Sequence, residues 1–116
     1  MSTPATDRIL TAASENGSVL PSVPLRDIVS ALDAELRTRD IPDSPGAVNG
    51  LQVANPGTVH RVAVAVDASR AAIAEAVVSG ADLLIVHHGL FWSGVQPLVG
   101  IPYEKFRSIL GSGLAV

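Results

Sequence analysis

Two apolar runs joined by a stretch of small residues constrain this chain more than any other feature. They are Arg61-Val62-Ala63-Val64-Ala65-Val66-Asp67 and Asp82-Leu83-Leu84-Ile85-Val86-His87. Each is the length of a strand, and neither interposes polar residues among its apolar ones. A strand covered on both faces needs no such alternation, and that is the habit of parallel sheets. Between the runs, Ser69 can cap a helix. Ala71, Ala72, Ala74 and Ala76 are small enough for that helix to lie close to a sheet, and Gly80 is placed to end it. The spacing predicts a strand–helix–strand unit, which is right-handed in nearly every known case.

Both runs end in groups that carry chemistry. The first ends in Asp67. The second ends in His87 and His88, followed by Gly89 and the chain's one tryptophan, Trp92. In open α/β sheets ligands bind outside the carboxyl ends of the strands. Within a regular strand neighbouring side chains point to opposite faces, so two adjacent histidines could not close on one small ligand. Where the strand breaks into a loop, two imidazoles can serve two metal ions, one each, in a site with a spacing of roughly 3.5–4 Å. The plain alternative is a strand-end histidine that bonds its surroundings and a second that is exposed. Asp67 has two equal readings, a carboxylate fixing an imidazole tautomer or a cap for the following helix. Trp92 either lines a cleft or covers the sheet edge. Asp43 and Asn49 are loop polar groups that either line the site or bond their own backbone.

Composition restricts the chemistry further. There is no cysteine among the 116 residues, so a metal here must be held by His, Asp, Glu and water, a set that suits Zn, Mn, Fe, Ni or Co. A net charge of −3 opposes non-specific nucleic-acid binding, which needs a basic footprint. No stretch approaches the roughly 18 apolar residues of a membrane span, and the N-terminus lacks the apolar region of a secretory signal. The expected location is the cytoplasm.

Met1 to Leu20 is rich in Ser, Thr, Ala, Gly and Asn and reads as a disordered or loosely attached leader, with at most a frayed helix around Asp7–Ala13. Residues 21–116 are expected to form the N-terminal portion of one α/β domain. Leu25, Ile28, Val29, Leu32 and Leu36 recur at helical spacing and predict a helix from Pro24 to Arg37. Ile41 to Gly50 is a loop with two prolines and two glycines, and Leu51-Gln52-Val53 is a short extended segment. A loop from Gly89 to Pro102 leads to a helix over Tyr103–Leu110, with Gly111 at its end. Leu114-Ala115-Val116 reads as a third strand just beginning. A domain rarely stops at such a point, so the sequence is expected to be truncated.

Three segments, taken in order, resemble the N-terminal part of the Nif-three-like family, whose members often carry the label GTP cyclohydrolase 1 type 2. They are Asp43…Val48-Asn49-Gly50-Leu51-Gln52-Val53, then Val64-Ala65-Val66-Asp67-Ala68-Ser69, then Ala81 through His87-His88 to Trp92. The resemblance implies a three-layer α/β arrangement with βαβ units, here incomplete. It implies a dinuclear centre of two divalent metal ions with His87 and His88 as ligands, one for each. It also implies a homo-oligomer (a hexamer in the family), a small-molecule substrate with nucleotides among the candidates, and a metal-dependent hydrolase in the complete form. Metallo-cofactor handling is a further suggestion for some members. The family's remaining ligands are an aspartate in a His-Thr-x-x-Asp-like stretch and a late histidine and glutamate. No residue here matches them, and His60 precedes its strand and is expected to point away. The expectation for this chain is therefore weak metal binding without catalysis. The alternative is a non-catalytic metal-binding or assembly module. A nucleotide-binding βαβ domain is a weaker reading, since no Gly-x-Gly-x-x-Gly follows the first strand.

Overall fold

The chain's computed structural model describes residues 10–12 and 21–116. In chain order these form β1 (Leu10–Ala12), β2 (Val23–Pro24), α1 (Leu25–Leu36), β3 (Thr58–Val59), β4 (Val62–Asp67), α2 (Arg70–Val78), β5 (Leu83–His88) and α3 (Ile101–Ser112). The main sheet has the order β1-β4-β5. β4 and β5 run parallel, with Val62 opposite Leu83 and Ala65 opposite Val86, as the strand–helix–strand spacing predicts. β2 and β3 make a separate antiparallel pair, Val23 opposite Val59.

The βαβ unit forms for the reasons legible in its residues. The Ser69 hydroxyl accepts the Ala72 N–H at 3.0 Å and caps α2. Ala72 and Ala76 are fully buried, and their small side chains let α2 lie close on Ala63 and Ala65 of β4. At the far end of the strands, the Asp82 carboxylate accepts the N–H groups of His60 and Arg61. The Asp82 carbonyl accepts the Asn55 side chain at 3.0 Å.

Beyond β5 the sheet continues through the last residues of the chain. The Leu84 N–H donates to the Ala115 carbonyl at 2.8 Å, and the Ala115 N–H donates to Asp82 O at 2.8 Å. On the other side of this short rung, Gln52 and Val53 both donate to the Val116 carbonyl, at 2.8 and 3.1 Å, and Val116 N–H returns a bond to Val53. Leu114, Ala115 and Val116 are buried. Where their apolar character predicts a strand, the structure has a single parallel bridge, Ala115 with Leu83 of β5.

Two clusters divide the interior by sheet face. Ala63, Ala65, Leu84, Leu114 and Val116 pack with Ile73 of α2 and Ile109 of α3. Leu83 and Ala115 face the other way and pack with Leu25 of α1 and Val59. Helices thus cover both faces, giving an α/β/α layering. The two sides are unequal. Among the described residues Ile73, Leu84, Ile109 and Leu114 are the largest fully buried side chains, all on the α2/α3 side, and each contributes about 1.5–3 kcal/mol by burial. On α1 only Leu25 is buried.

Several boundaries differ from the sequence reading. Leu10–Ala12, read within a leader with at most a short helix, is a strand paired antiparallel to β4; residues 1–9 and 13–20 of that leader lie outside the described residues. Pro24 stands in the cap position of α1 and pairs with Thr58 rather than occupying the first turn. α3 starts two residues before Tyr103 and runs past Gly111. Pro102 fits its first turn, where a missing N–H costs nothing, and Gly113 closes it in the left-handed conformation, φ 68°. Among the described residues no helix is long and apolar enough to cross a membrane.

Candidate metal centre

The paired histidines stand where the regular ladder ends. The register passes from Ala65 opposite Val86 to Asp67 opposite His88. His88 is still within β5, so the strand runs one residue further than the sequence suggests. Alternation puts Asp67 and His88 on the α2/α3 side and His87 toward α1. Yet the two imidazoles lie side by side, with ring centroids 4.6 Å apart and planes tilted by 52°. The strand break that the sequence argument required before the pair is not there, since both histidines lie within β5; the rings come together at the last two residues of the strand.

Asp67 takes the first of the two roles open to it. Its Oδ1 lies 2.7 Å from Nδ1 of His88, while Ser69 caps α2. A carboxylate only accepts, so Nδ1 must carry the proton, and the neutral ring keeps its lone pair on Nε2. Trp92 stacks obliquely on His88, centroids 5.1 Å apart, and also lines a cavity of about 140 Å³ with His87. The cavity lies between β5, α1 and the 47–52 loop, and Val29, Leu32 and Ile85 give it apolar walls. Trp92 thus both covers the sheet edge and borders a cleft.

Asp43 is held by its own loop, as turn chemistry predicts. The Ser44 N–H donates to Asp43 Oδ1 at 2.7 Å and is the main reason its carboxyl lies below the usual carboxylate range. The Asn49 side chain and then the charge of His87 act in the same direction, and desolvation opposes them. Asp43 is therefore within electrostatic range of His87 as well as bonded within its turn. His60 precedes β4, at the end of that strand opposite Asp67, and is not brought to the pair.

The sequence reading assigned no role to Gln52, although it is one of the residues that carry the family resemblance. Its carboxamide bridges the loop before it and the turn after the histidines: Oε1 accepts the Leu90 N–H at 2.7 Å, and Nε2 donates to the Val48 carbonyl at 2.7 Å. Glutamine carries no compositional mark of such a role. A signal that could point to it is Gly89, whose missing side chain leaves room for the Gln52 amide.

A parallel βαβ sheet covered by helices on both faces, with polar side chains gathered outside its carboxyl edge, defines an α/β protein with its site at the strand ends. The chain belongs to the Duf34/NIF3 (NGG1p interacting factor 3) family, whose profile matches residues 23–116. A protein of Treponema pallidum (strain Nichols) named GTP cyclohydrolase 1 type 2 homolog is 49% identical over 71 residues, which are 60% of this chain and 25% of that protein. A Halobacterium salinarum protein of the same name is 42% identical over 92 residues, 78% of this chain and 35% of its own length. The crystal structure of TTHA1606 from Thermus thermophilus superposes with a TM-score of 0.72 at 38% identity, covering 80% of this chain and 38% of the other. The protein ybgI, described as of unknown function, gives a TM-score of 0.71 at 34% identity, covering 80% and 37%. The chain thus spans between a quarter and two fifths of the length of these relatives.

Proposed function

We propose that this chain supplies the paired-histidine edge of a dinuclear metal centre in a protein of the GTP cyclohydrolase 1 type 2 kind, a metal-dependent hydrolase in its complete form. The observation that carries the reading is the side-by-side placement of His87 and His88 at the end of β5, with His88 oriented by Asp67. Carboxylate-oriented imidazoles are the usual form of histidine at a metal. The name that the relatives carry supports the hydrolase and nucleotide-substrate class.

The donors suit Zn, Mn, Fe, Ni or Co, with one imidazole for each of two ions. They do not make a whole coordination shell. Among the described residues no group of three or more His, Cys, Asp or Glu is placed to hold a metal, whereas even a closed zinc site takes roughly four ligands. This edge alone supports no catalytic step, and this chain is expected to bind metal weakly and to show no turnover. The same observation favours a second reading, a non-catalytic metal-binding or assembly module. Exposed Val95, Leu98, Val99 and Ile101 support assembly as a homo-oligomer in either case.

Elemental analysis of protein purified without added metal, with native mass, tests the proposal. One or two transition-metal ions per chain, lost in both His87→Ala and His88→Ala, is the expected pattern for an oligomer that completes the shell. Metal content that survives both substitutions would sink the assignment. Hydrolysis of nucleotide by the 116-residue chain would overturn the expectation of no turnover.

A further inference from the structure

We infer that Gln52 is the positioning residue of the histidine pair, acting through the main chain that leaves β5. The inference rests on the proposed metal function for its purpose, and on geometry alone for its substance.

The main chain at Gln52 is itself fixed. Its N–H and that of Val53 are both bound to the carbonyl of Val116, a buried residue, so the main chain at Gln52 is tied beside the residue that bridges to β5. From there its side chain reaches the first turn after the histidines. Oε1 takes the Leu90 N–H, and Nε2 gives a proton to Val48 O, both at 2.7 Å. The two ends of the carboxamide are used in opposite senses. A flipped amide would set N–H against N–H and oxygen against oxygen, so the environment dictates one orientation. A carboxylate would keep the bond to Leu90 and lose the one to Val48.

Gly89 makes this contact possible. A Cβ there would fall on the oxygen, nitrogen and carbon of the Gln52 amide. The absent side chain lets the amide lie flat against the backbone immediately beyond His88. The direction in which the chain leaves β5 is thereby set. With it are set the reach of His88 to Asp67, the approach of Trp92 to His88 and the proximity of the two imidazoles. A mere staple between two loops would tie residue 48 to residue 90 without affecting the rings. A positioning residue must move them when it is lost.

The experiment uses the 116-residue chain and the variants Gln52→Leu, Gln52→Glu, Gly89→Ala and the double variant Gln52→Ala/Gly89→Ala, with folding checked by circular dichroism. Three readouts are followed: amide exchange at Leu90, the ring-nitrogen NMR signals of His88, and a titration with Co²⁺ alone. In Gln52→Leu, Leu90 exchange should rise about 5- to 10-fold, the scale of one lost hydrogen bond. The His88 ring signals should shift toward a mixture of tautomers, and Co²⁺ should bind on the order of 10-fold more weakly. Gln52→Glu should fall between parent and Gln52→Leu, and it carries the test if the leucine variant does not fold. Gly89→Ala should resemble Gln52→Leu. The double variant should regain thermal stability relative to Gly89→Ala, because space is freed, without regaining the parent's ring signals.

Faster Leu90 exchange with unchanged ring signals and unchanged Co²⁺ binding would reduce Gln52 to a loop staple and overturn the inference. Unchanged Leu90 exchange would overturn it more directly. A parent chain that takes no Co²⁺ would count against the metal reading, while the ring signals would still decide the role of Gln52.

Discussion

Removing the Asp67 carboxylate is the most direct perturbation of the site. In Asp67→Ala the Nδ1 proton of His88 loses its acceptor, and the imidazole becomes free to carry its proton on either nitrogen. A hydrogen bond to a charged group contributes about 1.5–3 kcal/mol. The two side chains are 43% and 42% exposed, and water replaces part of what is lost, which leaves about 1 kcal/mol. That corresponds to roughly a five-fold change in the tautomer ratio. Losing a carboxylate behind a metal-binding histidine typically weakens affinity about 10–100-fold, and the exposure here puts the expectation at the lower end, about 10-fold. Long-range ¹⁵N–¹H NMR of the imidazoles reads the tautomer without any metal, and Co²⁺ titration reads the affinity. The expected result is a share of the Nδ1–H form of His88 that is higher in the parent than in the variant, the ratio changing by roughly five-fold. A variant that folds normally and keeps the parent's tautomer would refute the orienting role of Asp67.

Two further outcomes follow from the layering and the loop. Leu84→Ala should destabilise the fold by about 2–5 kcal/mol, the range for emptying a fully buried aliphatic site, and Val64→Ala by well under half as much, since Val64 is 43% exposed; equal costs in urea denaturation would contradict the assignment of the core to the α2/α3 side. Asn49→Ala should move the Asp43 carboxyl back toward its ordinary value. Because Asp43 is depressed in the folded chain, its contribution is present above the unfolded value of about 3.9 and is lost as pH falls through the folded value. The variant should therefore narrow that window from below, and carboxyl ¹³C titration would show no change if Asn49 were not a partner.

The parts of the fold that were legible in the sequence are those where a local cause suffices. Ser69, the run of alanines and Gly80 define α2 with no help from the rest of the chain, and the two apolar runs define β4 and β5. Leu114–Val116 was readable as a buried apolar segment, but only Ala115 bridges to β5, so the strand read there is not formed as an element. What escaped the reading depends on partners remote in sequence. Leu10–Ala12 is a strand only because β4 offers it an edge, and Thr-containing tripeptides carry no such signal. Gly111 and Gly113 look alike in sequence, and only the closure of α3 on Ile109 O selects the second. At the site, histidines and a carboxylate announce themselves by residue type. Gln52 does not, because its function lies in an amide placed against a glycine 37 positions later.

The unequal attachment of the two helical layers has a dynamic consequence. α2 and α3 share a dense apolar seam with β4 and β5, whereas α1 is anchored by Leu25, by partly buried Ile28 and Val29, and by the two-residue pairing of β2 with β3. Opening free energies within a protein follow such differences in burial, and weakly held segments detach as separate cooperative units. α1 should therefore exchange its amide hydrogens well before α2, β4 and β5, in an excursion that leaves the parallel core intact. Such an excursion would lift one wall from the cavity beside His87, so access to that side of the histidine pair would be governed by the motion of a single helix.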